Sequence, residues 1–83
     1  MNKIIFDYSK LRGRIKERYE SEAKFSVEAR ISQASLSSKL NNKTYFNPED
    51  ILRILKILDI PDEEAKLYFF KQKVRKSEQR KAS

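Results

Sequence analysis

Residues 25–42 read FSVEARISQASLSSKLNN, and the order of residue types in this stretch predicts two short helices joined by a tight turn. Ser21 is an N-cap for the first helix, with Glu22 beside the positive end of its dipole. Phe25 and Ala29, four residues apart, form its inward pair. The turn falls at Arg30–Ile31, and Ser32 caps a second helix that runs to Leu40. Leu36 and Leu40 are the buried stripe of that second helix, residues 32–40. Its opposite face carries Ala34, Ser35, Ser37 and Ser38, with Gln33 at the flank.

This outward face is unusual in composition. Serine has only middling helix propensity, so serines at 32, 35, 37 and 38 are poor choices for stability alone. No Asp or Glu occurs between Glu28 and Glu49, while Arg30, Lys39 and Lys43 lie in that gap. A compact helix face with hydrogen-bonding groups and no negative charge fits the major groove of DNA. Gln33, Ala34, Ser35, Ser37 and Ser38 are therefore the candidate base-reading residues. Arg30, Lys39, Asn41, Lys43 and Thr44 are the candidate phosphate contacts, since they cluster at the turn and at the end of the helix.

Working outward, Asp7 or Ser9 can cap a helix that runs to about Tyr19, with Tyr8, Leu11, Ile15 and Tyr19 at helical spacing. Arg12, Arg14, Lys16 and Arg18 occupy its other faces, and Gly13 suggests a close packing contact. On the C-terminal side, Asn42 and its neighbours are a stop signal. Asn47 followed by Pro48, Glu49 and Asp50 starts a fourth helix, which should end at Ile60–Pro61. Ile51, Ile54, Leu55 and Leu58 form its stripe, and Leu52 and Ile57 widen it beyond what one narrow seam needs. A fifth helical segment follows Pro61 and extends to about Phe70. Leu52, Ile57, Tyr68, Phe69 and Phe70 are thus a candidate dimer or partner interface, with completion of the monomer core as the plainer use of the same residues.

The expected fold class is all-α: a compact bundle of about five helices around a central helix-turn-helix. Residues 1–74 form one domain and residues 75–83 a basic, disordered tail. The 83 residues carry a net charge of +7, unevenly spread. Residues 1–46 hold ten Lys/Arg against five Asp/Glu, residues 47–70 hold three against six, and residues 71–83 hold six against one. The absence of His and Cys removes the commonest general base, thiolate metal sites and disulfides. With a single Gly there is no glycine-rich phosphate loop, and Asp62, Glu63 and Glu64 are explained by a helix start. Neither an enzyme, a cofactor nor a metal site is expected. Apolar runs are too short for a signal peptide or a membrane span, and a cytoplasmic location is expected.

The segments DYSKLRGRI (7–15), FSVEARISQASLSSKLNNK (25–43) and IPDEEAKLYFFKQKV (60–74) occur in an order that resembles the lambda-repressor/Cro-like helix-turn-helix superfamily. More closely, the chain resembles small phage regulators from Gram-positive bacteria. That resemblance implies an all-helical protein of a lysis–lysogeny switch that binds double-stranded operator DNA, usually as a homodimer. Its location would be the cytoplasm of the bacterial host. Gln33 would then match a base-contacting residue and Asn41 a phosphate contact. Two positions depart from the pattern. Arg30 stands where relatives usually have Gly, and Glu22 stands where many have a phosphate-donating Gln. A carboxylate cannot donate and repels the backbone. These departures and the acidic zone at 47–64 motivate an alternative: an antirepressor that docks on a partner phage repressor. An antitoxin is a more distant third reading.

Overall fold

A computed structural model describes residues 4–73. Five helices follow one another: α1 (Ser9–Tyr19), α2 (Glu22–Ala29), α3 (Gln33–Leu40), α4 (Pro48–Ile57) and α5 (Ala65–Phe69), the last entered through a single 3-10 turn at Asp62–Glu64. Among the described residues the only β pairing is one antiparallel bridge, Phe6 with Gln72. The all-α expectation holds. Val74 and the tail at 75–83 lie outside the described residues.

Every helix contributes to one core. Leu11 and Ile15 come from α1, Phe25 and Ala29 from α2, Leu36 and Leu40 from α3, Ile54 and Leu55 from α4, and Tyr68 and Phe69 from α5. Full burial of each large side chain stabilises by roughly 1.5–3 kcal/mol. None of these helices is long enough to persist alone in water, so their shared core holds them. An edge-to-face run from Tyr8 through Phe46 to Phe69, with centroid spacings of 5.5 and 5.3 Å, ties the start of α1 to α5.

The helix starts follow the sequence signals. Ser21 accepts from the Lys24 N–H, Ser32 from the Ser35 N–H and Asn47 from the Asp50 N–H. At α1 the cap is Tyr8, and Asp7 reaches in from one residue further out, its Oδ1 accepting from the Ser9 N–H at 3.0 Å.

The helix ends share a device that composition conceals. α2, α3 and α4 each close with a pair of backbone bonds around a left-handed residue. In α2 the Ile31 N–H reaches the Ser26 carbonyl, in α3 Lys43 reaches Ser38, and in α4 Ile60 reaches Leu55. The left-handed residues are Arg30 (φ 60°), Asn42 (φ 63°) and Asp59 (φ 55°), and none is glycine. The turn at Asp59 ends α4 at Ile57, before the expected Ile60–Pro61 boundary. Two α1 arginines steady that end. Arg14 donates to the Leu58 and Asp59 carbonyls at 2.9 and 3.3 Å, and Arg18 pairs with the Asp59 carboxylate at 2.8 Å. Arg53 joins α4 to α2 by donating to the buried Asp50 and to the Ala29 carbonyl.

The only glycine corrects an expectation. Gly13 is exposed on α1, and a Cβ built there would meet nothing within 4 Å. It marks no packing contact. Gly13→Ala should raise stability by about 1 kcal/mol through backbone entropy alone, seen as a higher urea midpoint at unchanged m-value.

Candidate functional site

The α2–α3 pair is built from its turn outward. Ala29 and Ile31, either side of Arg30, are buried, and Leu36 and Leu40 fix the inner side of α3 to the core. Gln33, Ala34 and Ser37 are exposed on the other side, while Ser35, Ser38 and Lys39 are half-buried along its margins. The structure thus brings the five candidate base-reading residues onto one short helix, with Gln33 and Ser37 the most outward polar pair.

Two of these hydroxyls already have partners within the helix. The Lys39 Nζ donates to Ser35 Oγ at 3.1 Å, and Asn41 Nδ2 donates to Ser37 Oγ at 3.3 Å. Each serine keeps its own O–H as a donor. Arg30, Asn41, Lys43 and Thr44 are exposed, so the expected phosphate contacts flank α3 at its turn and its far end. Lys39 is drawn back along the helix by Ser35.

Arg30 adopts the left-handed conformation where a glycine would be unstrained. Among the described residues its side chain makes no hydrogen bond or ion pair. Arg30→Gly should therefore stabilise the fold by about 1 kcal/mol while weakening binding of a polyanion, with urea unfolding and a salt-dependent titration reporting the two effects separately.

Glu22 is held internally. Its carboxylate pairs with Arg12 Nη1 at 2.7 Å, and the other Arg12 nitrogen donates to the Leu40 carbonyl at 3.2 Å and to Asn41 Oδ1 at 3.1 Å. One arginine from α1 thereby joins the start of α2 to the end of α3 and satisfies a helix-end carbonyl. Both members of the ion pair are more than a third exposed, so its own contribution to stability is below about 1 kcal/mol. Its larger consequence is electrostatic: the Glu22 charge is balanced at the start of α2. The sequence puts Arg12 only on the other faces of α1, because its partners lie 10, 28 and 29 residues away.

The candidate interface residues divide. Tyr68 and Phe69 are interior, at 6% and 1% exposure, and belong to the monomer core. They are unavailable to a partner because α5 packs on α1 and on Phe46. Leu52 and Phe70 remain exposed at 64% and 49%, and Ile57 is half-buried. Among the described residues no group of acidic residues could hold a metal ion, and no helix is long and apolar enough to cross a membrane.

The fold and site define a small all-helical protein that presents the polar side of a short third helix beside a tight left-handed turn. The chain belongs to the family described as "Protein of unknown function (DUF739)", whose model matches residues 4–72. It is similar to the solution structure of the modulator of repression of the temperate bacteriophage TP901-1 from Lactococcus lactis. The two share 31% identity at a TM-score of 0.72, over 84% of this chain and 95% of the other. Comparison with curated proteins finds no match.

Proposed function

We propose that this chain is a regulator of repression in a temperate-phage genetic switch, that its α2–α3 pair is a helix-turn-helix of lambda-repressor type, and that α3 reads operator DNA through the major groove. The observation that carries this reading is the exposed, acid-free side of α3, anchored by Leu36 and Leu40. Gln33 is suited to bidentate bonding with adenine, and Ser37 serves several bases. Arg30, Asn41, Lys43 and Thr44 would take the sugar–phosphate backbone on either side, with Lys39 reaching it after release from Ser35. The Arg12–Glu22 pair supports the reading by balancing the one carboxylate at the start of α2. A symmetric operator would be met by two copies, each placing α3 in successive major-groove turns.

The test is a selection of bound DNA sequences from a random pool at a stated salt concentration, followed by titration of the selected site. Lys39→Glu with Lys43→Glu should lower affinity on every sequence and flatten the salt dependence, because both residues act on phosphate.

One observation favours a second reading, in which the same surface docks on a partner phage repressor. Glu22 accepts and cannot donate, so its side chain offers no phosphate contact at the start of α2 even when its charge is balanced. The similar phage protein is itself titled a modulator of repression. Co-purification with the cognate repressor, together with no selected DNA sequence, would establish this reading over the first.

A further inference from the structure

The chain carries a second built surface, which borders the end of α3 at Leu40–Asn42. Residues 5–7 and 71–73 lie antiparallel, joined by Asp7 N–H to the Lys71 carbonyl at 2.7 Å and Lys73 N–H to the Ile5 carbonyl at 2.8 Å. Between these bonds Phe6 and Gln72 face each other as a non-hydrogen-bonded pair, so their own backbone groups point away from the ladder. On the Phe6 side both groups are taken by Asn42, whose carboxamide accepts from the N–H at 2.8 Å and donates to the carbonyl at 3.0 Å. The Asn42 amide fills the place of a third strand. On the Gln72 side no described residue bonds either group, so among the described residues the edge is open.

The two faces of this ladder differ in chemistry. Ile4, Phe6 and Phe70 stand on one face and, with Tyr45 and Phe46 among others, line an apolar cavity of about 310 Å³. Ile4, Tyr45 and Phe70 are each 49% exposed at its rim. Lys71 and Lys73 stand on the other face, with Ile5 beside Lys73, and all three are exposed. Asp7 shares that face; hydrogen bonds from Ser9 hold its carboxyl below the usual range, with smaller help from the two lysines. One carboxylate against two ammonium groups leaves the face positive.

We infer that the open Gln72 edge accepts an added strand from a partner protein, an extended segment alternating apolar and acidic residues. Main-chain bonds to Gln72 would set its register. Alternate side chains would then fall on opposite faces, apolar ones at the aromatic cavity and acidic ones beside Lys71 and Lys73. Charge complementarity selects this occupant: the cavity gives the apolar anchor and the lysines favour an acidic neighbour. The inference does not require that α3 take either DNA or a repressor; the two surfaces share no named residue, though Lys73 and Asn41 line one cleft.

The experiment titrates the ¹⁵N-labelled full chain with a short acetylated peptide alternating glutamate with leucine or phenylalanine. Parallel titrations use a peptide with lysine in place of glutamate and one of the same composition without alternation. Amide shifts are expected at residues 4–6, 45 and 70–73, with α3 unmoved, and the two control peptides should bind at least about tenfold more weakly. Gln72→Pro removes the outward N–H and leaves the inner bonds of Asp7 and Lys73 intact, so it should also weaken binding. Lys71→Glu with Lys73→Glu should do the same without touching the backbone. Equal affinity for the lysine peptide, no shift at millimolar peptide, or shifts confined to α3 would overturn the inference. So would shifts at these same residues that follow protein concentration without peptide, which would give the edge to a second copy of the chain.

Discussion

Phe25→Ala is expected to lower stability by about 3–5 kcal/mol, the largest loss of any single change considered. Phe25 has no exposed surface, and its ring meets Tyr19 at 5.2 Å, where α1 passes into α2. Truncation would leave a cavity against Ala29 on a helix of only eight residues. So short a helix has little stability of its own. A domain of this size has a total stability near the low end of about 5–15 kcal/mol, so much of the population should be unfolded at 37 °C. Urea unfolding followed by far-ultraviolet circular dichroism checks this. A loss below about 1 kcal/mol would mean that α2 is not held to the core through this side chain.

The second large effect is on binding. Gln33→Ala with Ser37→Ala should cost about 1–3 kcal/mol for each lost base contact, roughly fivefold to 150-fold apiece in operator affinity. Stability should change little, because both side chains are exposed and Ser37 only accepts a bond from Asn41. Affinity for random DNA should be unchanged, since neither residue carries charge. Titration of selected and random duplexes at one salt concentration separates the two. Equal losses on both would move Gln33 and Ser37 from base reading to general surface contact.

The α2–turn–α3 unit was legible because its signals are local. Ser21, Ser32 and Asn47 each cap the helix that begins with the next residue, and the leucines of α3 are one turn apart. The basic residues of α1 were harder. Arg12, Arg14 and Arg18 have ordinary helical surface spacing, and nothing nearby in sequence shows that each reaches another helix. Part of the positive excess in the first half is thus spent within the fold and is unavailable to a polyanion.

The end of the chain shows a different obstacle. Asp62–Glu64 form a 3-10 turn closed by the Glu64 N–H on the Pro61 carbonyl, and α5 proper is only five residues long. It stops at Phe69 so that Lys71–Lys73 can lie along Ile5–Asp7. That pairing joins residues more than sixty apart, which periodicity cannot register. The same long-range closure puts Tyr68 and Phe69 inside while leaving Phe70 at the surface. Asn42 was legible as a helix stop, but its carboxamide bonds to Phe6 were not.

The central claim is that the outward side of α3 is the working surface. Amide shift mapping of the ¹⁵N-labelled chain, first with its selected operator duplex and then with the cognate repressor, tests it most directly. Whichever target binds, the largest shifts should fall within residues 30–44, with Gln33 and Ser37 among them. A bound target that leaves those two amides in place and moves another part of the molecule would contradict the account.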